Sequence, residues 1–457
     1  MKYHIQTFGC QMNYSDTERV ETVLEKNGYA KAKTLEEVDL FIFNTCSIRQ
    51  KGEDRVHGLL GKLAQYKKAN PRLLIGITGC MVRQTSSRNS ENNVKDKLLT
   101  TAFNLDFVFR INDTHKLAEV LAEAEPQLEL QGAEEKPSEN RTDYLKVDPK
   151  YSSKIQAFVP IQIGCDKYCT YCIVPYSRGR EESRDLAEIV SECRKLVENG
   201  CKEITLVGQT VNSYGLSDLD KKSARFTDFT EQPFIKLLKE LNALSELGLS
   251  RLRYTSPHPR DFTDELIEAH ANLKTLCPYI HLPVQAGDNT VLAKMNRKYT
   301  VEHYRGIIEK IKTRLPNCVI STDIIVGFCG ETDEQFENTF NLFQDLKFDH
   351  AFIARYSTRK ETVSEKYFQD DVTKEKKAER WNRLNDLLVA TSTHKNQAYE
   401  GQELEVLVER FNTLTKELEG RSREYKLVQF KGDESQVGKI QQVKILKGLP
   451  WVLKGEI

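Results

Sequence analysis

The sequence predicts an α/β protein of three units in series. They are a small parallel α/β domain over residues 1–123, a partial (βα)6 barrel over 154–396, and a small antiparallel β-barrel over 397–457, with a linker at 124–153. Three observations predict this order: a short strand–helix beat at the start, a longer one in the middle, and a change near Gln397 to short strands punctuated by glycine. A length of 457 residues exceeds one ordinary core, and about 150 residues per domain gives two to four units.

In the first unit HIQTF, DLFIFN (39–44) and LLIGIT (73–78) are short runs rich in β-branched or aromatic residues. Between them, Ser15 to Asn27 and Arg49 to Lys68 carry apolar residues at helical spacing, and Ser15 with Glu18 fits a capping box. Residues 124–153 are polar, charged and aperiodic, which reads as a linker or surface excursion.

The second unit offers six strands: FVPIQIG (158–164), EITLVG (203–208), RLRYTS (251–256), YIHLPV (279–284), CVISTDIIVGF (318–328) and HAFIARYS (350–357). Amphipathic segments separate them, so an open parallel barrel follows, with any site at the carboxyl ends of the strands. In the third unit ELEVLVER, REYKLVQF, QQVKILKG and WVLKG read as strands of an oligonucleotide-binding-type barrel. Residues 421–457 carry eight Lys/Arg against four Asp/Glu, modest support for a polyanionic ligand.

Lys+Arg and Asp+Glu balance at 67 each, so overall charge neither demands nor excludes nucleic acid. No apolar run reaches the roughly 18 residues of a membrane span, and MKYHIQTFGC lacks the features of a signal peptide. The expectation is a cytoplasmic protein without a membrane partner. Eleven cysteines are many for a reducing compartment, where clustered thiols signal metal or catalysis.

The first barrel strand ends in IGCDKYCTYCIVPYSRGRE, so Cys165, Cys169 and Cys172 form a C-x3-C-x2-C triplet in the following loop. Three thiolates can hold a [4Fe–4S] cluster with one iron left open. Structural zinc is the rival, but it needs a fourth ligand, which only His258 or His281 on other strands could supply. Gln285 and Asp323 are polar residues on otherwise apolar strands and suit a polar ligand at the barrel mouth.

Cys10, Cys46 and Cys80 each stand just past a strand of the first unit. In a parallel sheet all three carboxyl ends share one edge, so thiols 36 and 34 residues apart can converge on a second, auxiliary [4Fe–4S] cluster. Unrelated core thiols are the alternative. Cys193, Cys201, Cys277 and Cys318 lack ligand spacing and read as structural.

C-x3-C-x-aromatic-C after the first strand of a partial barrel resembles the radical S-adenosylmethionine superfamily. That resemblance implies that the open iron binds S-adenosylmethionine, with Tyr171 beside the adenine and Gly208 and Gln209 near the amino group. Ser256, Gln285 and Asp323, on the third, fourth and fifth strands, complete the implied cofactor contacts. Two three-cysteine sites followed by a β-barrel resemble the methylthiotransferase family across essentially the whole chain. TFGCQMN with NTCSIRQKGEDRV is similar to its branch acting on isopentenylated adenosine in tRNA, and GRSREYKLVQF resembles the core of the TRAM RNA-binding module.

The implied activity is methylthiolation at C2 of N6-isopentenyladenosine beside the anticodon, using two equivalents of S-adenosylmethionine. One equivalent methylates a sulfur held on the auxiliary cluster; the other gives a 5′-deoxyadenosyl radical that abstracts the C2 hydrogen. The target base would be splayed from the tRNA anticodon loop, with Arg421, Arg423, Tyr425 and Lys426 gripping the RNA. An electron donor such as flavodoxin or ferredoxin and a sulfur or cluster-repair donor are implied partners. Alternatives are threonylcarbamoyladenosine or a ribosomal-protein aspartate as substrate, or a non-enzymatic, iron- or redox-sensing RNA-binding protein. Two departures stand out: relatives usually have proline where Cys329 stands, and YSTRKETVSE is poorer in glycine and proline than the family segment.

Overall fold

The computed structural model describes residues 1–46, 50–82, 104–124, 142–218 and 231–457. Arg49 and most of the proposed linker, residues 125–141, lie outside the described residues. The amino-terminal sheet contains β1 (Lys2–Phe8), β2 (Ala30–Lys31), β3 (Leu40–Thr45), β4 (Leu74–Gly79) and β5 (Phe107–Val108). Its order is β2-β1-β3-β4-β5 and every pairing is parallel. β3 and β4 are buried along their whole length, as a sheet covered on both faces requires. Leu40 and Ile42 join Val20 and Leu24 of the helix Gln11–Lys26 in one core. On the other face Phe41 and Phe43 pack with Val56, Leu60 and Leu63 of the helix Gln50–Ala69.

The first helix begins at Gln11, four residues before the expected Ser15, with Cys10 as its N-cap. Asn13, rather than Ser15, closes the turn, its Oδ1 accepting from the Cys10 N–H at 3.2 Å. Ser15 is instead buried and its hydroxyl accepts from Arg19 at 2.7 Å. The described second half of the expected linker is packed structure. Tyr144 is fully buried in the first core, and Ser152 donates its N–H to Glu18 at 2.8 Å.

The central unit begins with β6 (Gln156–Pro160) and a small antiparallel flap, β7 (Gln162–Ile163) with β8 (Glu182–Ser183). It continues with β9 (Glu203–Val207), β10 (Arg251–Tyr254), β11 (Tyr279–His281), β12 (Val319–Val326) and β13 (His350–Arg355). Two parallel sheets, β10-β9-β6 and β11-β12-β13, meet through a bridge between Leu252 and Leu276. The result is the expected six-stranded open barrel. Its first strand is split, because the chain leaves β6 after Pro160 to form the flap that carries the cysteine loop.

Helix Lys374–Gln397 packs on β13 and leads to β14 (Glu403–Asn412), β15 (Glu417–Ser422), β16 (Leu427–Lys431), β17 (Ile440–Gly448) and β18 (Leu453–Glu456). These close into a barrel of order β14-β15-β16-β18-β17. β16 and β18 pair in parallel; the other pairings are antiparallel. REYKLVQF is not one strand: Arg423 to Lys426 form the turn between β15 and β16, with Tyr425 at φ +66°.

Candidate active site

The sheet register places the three amino-terminal cysteines along one edge. Phe8 pairs with Thr45 and Thr45 with Gly79, so Cys46 and Cys80 leave adjacent strands at the same level while Cys10 follows β1 by two residues. A buried amide network ties the three loops together. Asn13 donates to Asn44 Oδ1 at 3.0 Å and to the Thr45 carbonyl at 3.1 Å, and Asn44 donates back to the Asn13 carbonyl at 2.8 Å. The Thr45 carbonyl also accepts from the Cys80 N–H at 2.7 Å. Gly79 adopts φ +89°, and a Cβ there would lie 2.4 Å from that same carbonyl, so the turn presenting Cys80 requires glycine.

The second triad lies at the barrel mouth and obeys the same local logic. Gly164 precedes Cys165 at φ +72°, where a Cβ would fall 2.0 Å from the Arg180 carbonyl. Cys165 Sγ lies 3.1 Å from Thr210 Oγ1, and Arg297 donates from Nη1 to Cys169 Sγ at 3.3 Å. The same guanidinium donates to the Pro283 carbonyl and, from Nε, to Tyr299 Oη at 2.9 Å. Burial, reinforced by the charge of Cys169, pushes the Cys165 thiol up to about 11, and burial raises Cys172 further. Such thiols become ligands only as a metal displaces their protons.

The two triads lie within electrostatic reach of one another. Cys80 lies near enough to Cys172 for its charge to act on that thiol. Arg178, buried between the units, is paired to Asp16 at 2.6 Å and lies within electrostatic reach of Cys10. Tyr144 donates to the other Asp16 oxygen at 3.2 Å. The first core continues into the barrel through Ile163 and Val207, which holds the two cysteine-bearing edges in fixed relation.

The donor chemistry fits iron–sulfur clusters better than zinc. A cube takes three cysteines on separate iron corners and leaves the fourth iron open, whereas a structural zinc site needs a fourth protein ligand. The histidines are otherwise engaged: His258 Nδ1 accepts from the Arg260 N–H at 3.2 Å, and His281 lies against Ser321 at 2.8 Å and Asp323 at 3.4 Å.

The cofactor candidates fall at two depths. Tyr171 stands beside the triad, edge-on to Phe328 with ring centroids 6.3 Å apart. Gly208 packs closely over Gln162, and Gln209 holds a buried Oε1 without a partner among the described residues. Ser256 and Gln285 leave their strands in left-handed conformations, at φ +57° and +73°. Asp323 lies deeper, inside β12, with its carboxylate turned to His281. Cys193, Cys201, Cys277 and Cys329 are buried, and the Cys329 carbonyl accepts from Lys294 at 2.8 Å.

Arg421, Arg423, Tyr425 and Lys426 do not form an open RNA-facing hairpin. They plug the amino-terminal end of the large barrel. Tyr425 stacks on Tyr279 at 4.6 Å, Arg423 donates to the carbonyls of Ser250 and Lys274, and Lys426 pairs with buried Asp349 at 3.0 Å. Arg421 is held by Glu409 at 2.5 Å, while Arg251 and Arg253 donate to the carbonyls of residues 421–423. A pattern of alternating residues does not reveal which end of a hairpin meets a neighbouring unit. Sequence reading also missed Thr210, Arg178 and Arg297. Arg178 falls within the PYSRGRE run after the cysteines, but Arg297 contacts Cys169 across 128 residues with no local signal.

Comparison with known proteins agrees with this architecture. Family models match for the uncharacterized protein family UPF0004 over residues 2–100, the radical SAM superfamily over 159–343 and the TRAM domain over 397–457. The chain is 42% identical to the tRNA-2-methylthio-N(6)-dimethylallyladenosine synthase of Thermoanaerobacter sp. (strain X514), covering 100% of this chain and 92% of that protein. It is equally 42% identical to the enzyme of that name from Clostridium botulinum (strain Okra / Type B1), over 100% of this chain and 96% of that one. The fold also matches the radical S-adenosylmethionine methyltransferase TsrM of Kitasatospora setae. That match has a TM-score of 0.52 at 14% identity, over 77% of this chain and 72% of that one. With likeness across its full length to curated relatives of one kind, this chain belongs to the tRNA-2-methylthio-N(6)-dimethylallyladenosine synthase family of radical S-adenosylmethionine enzymes.

Proposed function

We infer that this chain is a tRNA methylthiotransferase that inserts a methylthio group at C2 of N6-isopentenyladenosine beside the anticodon. The observation that carries the reading is the likeness of the chain over its whole length to enzymes named for that product, supported by two cysteine triads close enough for Cys80 to act electrostatically on Cys172. Cys165, Cys169 and Cys172 hold the [4Fe–4S] cluster that activates S-adenosylmethionine. Cys10, Cys46 and Cys80 hold a second one that presents sulfur. When bound, these groups supply the radical chemistry and the methylthio group, which no side chain can provide for an unactivated aromatic C–H bond.

The protein supplies binding and placement. Arg297 and Thr210 stabilise charged sulfur at the barrel-mouth triad of Cys165, Cys169 and Cys172. The unpartnered Gln209 Oε1 suits an ammonium group, Tyr171 suits an adenine ring, and Gly208, Ser256 and Gln285 shape the strand ends around them. Asp323, the deepest of the cofactor candidates, is turned to His281 in the barrel interior. With residues 421–426 committed to the plug, tRNA contact falls to exposed Lys444, Lys447 and Trp451 on the small barrel.

No helix among the described residues is long and apolar enough to cross a membrane. A tRNA substrate supports a cytoplasmic reaction, in which a low-potential donor of the flavodoxin or ferredoxin type would supply electrons and a separate donor would restore the consumed sulfur. Anaerobic reconstitution tests the reading. About eight irons per chain are expected, and C10A/C46A/C80A protein should bind about four and still cleave S-adenosylmethionine without methylthiolating tRNA. Normal product formation by that variant would refute the sulfur-holding role.

A further inference from the structure

We propose that Arg178 is a positioning residue of the auxiliary site, anchored by Nη2 on Asp16 and donating from Nη1 to a sulfur held at Cys10, Cys46 and Cys80. The inference rests on the two-cluster reading above. Arg178 is 3% exposed and Asp16 is fully buried, so neither charge is relieved by water. The Asp16 carboxylate is itself fixed, one oxygen on Arg178 Nη2 at 2.6 Å and the other on the Tyr144 hydroxyl. One arm of the guanidinium is thereby immobilised. The other is not satisfied: Nη1 is buried with no hydrogen-bond partner among the described residues. A buried guanidinium N–H without an acceptor is rare enough to indicate a missing one.

The groups near the guanidinium suggest the acceptor. Cys80 and Cys10 both lie within electrostatic reach of Arg178. Both are candidate ligands of the auxiliary cluster. The other triad already makes the contact in question, Arg297 Nη1 to Cys169 Sγ at 3.3 Å, from a guanidinium likewise clamped on its remaining nitrogens. Each triad therefore has one buried, pre-oriented arginine.

The placement of Arg178 has a further consequence. It follows Cys172 by six residues, at the end of the short helix Val174–Ser177, so the loop that carries the radical-site ligands also delivers the auxiliary-site cation. A cation and a hydrogen bond directed at sulfur stabilise the reduced, more negative state of a cluster and raise its reduction potential. Arg178 would set both the potential and the orientation of the sulfur to be transferred.

The test uses the full chain, reconstituted anaerobically in a C165A/C169A/C172A background so that only the auxiliary cluster reports. Its midpoint potential is followed by electron paramagnetic resonance. R178M is expected to move the midpoint negative at unchanged iron and sulfide content, and R178K, which keeps the charge on Asp16, to restore it only in part. In the chain with both triads intact, R178M should lower methylthiolation by about 10–100-fold while S-adenosylmethionine cleavage persists. Should R178M fail to fold, D16N/R178M removes the uncompensated carboxylate and is measured in its place. An unchanged midpoint in a folded, fully loaded variant overturns the proposal. Failure of the parent protein to bind any cluster at Cys10, Cys46 and Cys80 would instead refute the two-cluster reading itself.

Discussion

Arg297 donates from Nη1 to Cys169 Sγ at 3.3 Å, while Nη2 is fastened to the Pro283 carbonyl at 3.1 Å. A buried cation fixed on the backbone of the fourth strand's exit loop thus steadies one ligand of the radical-site triad. R297M should lower 5′-deoxyadenosine formation by about 10–100-fold, the range for loss of an outer partner at a metal site. Chromatographic measurement of that product with reductant and S-adenosylmethionine checks it; an unchanged rate would deny Arg297 any role at Cys169.

The Asn13–Asn44 network makes a prediction about stability and metal together. Asn44 is fully buried, donates to the Asn13 carbonyl and to Thr17, and accepts from Asn13. N44A should cost about 1–3 kcal/mol by leaving buried groups unpaired. Because the network ties the loops of Cys10, Cys46 and Cys80, iron occupancy of the auxiliary site should fall as well, read by denaturant unfolding and by iron content.

The two basic surfaces of the small barrel should behave in opposite ways. K444E/K447E should weaken tRNA binding and reduce the magnitude of the slope of log affinity against log salt by about two, as expected for the loss of two phosphate contacts. K426M should leave that slope unchanged but destabilise the protein by about 1–3 kcal/mol, because it removes one of the two lysines, Lys426 and Lys395, paired to buried Asp349. Filter binding across a salt series and thermal unfolding separate the two effects.

His270 predicts a pH dependence of stability. It is buried against the Tyr254 hydroxyl at 2.7 Å, and burial lowers its pKa to about 4. Between the ordinary value of about 6.5 and that lower one, the unfolded chain binds the extra proton, so stability is full above the upper limit and declines as pH falls. The loss should approach about 3 kcal/mol near pH 4. H270Q should flatten that part of the curve, measured as denaturation midpoints from pH 7 to 4.

Much of the candidate site was legible because its cysteines follow strand ends. Cys10, Cys46 and Cys80 each trail a run of β-formers, and parallel pairing carries thiols 36 and 34 residues apart to one edge. Cys165, Cys169 and Cys172 were visible because they are local. What stayed hidden depends on packing between distant elements. Tyr425 and Lys426 look like surface residues of a hairpin until Tyr279 and Asp349 are brought beneath them. Tyr144 sits in a stretch whose composition reads as a linker, yet it is drawn into the core to fix Asp16, and through it Arg178. The helix start moved to Gln11 because Asn13 could cap Cys10 while Ser15 was required inside.

On this reading the two cysteine sites serve methylthiolation of isopentenylated tRNA. The most direct test is nucleoside mass spectrometry after anaerobic incubation of reconstituted protein with S-adenosylmethionine, a strong reductant and tRNA bearing either isopentenyladenosine or threonylcarbamoyladenosine. The account predicts a methylthio group on the isopentenylated nucleoside alone. Methylthiolation of only the threonylcarbamoylated nucleoside would contradict it.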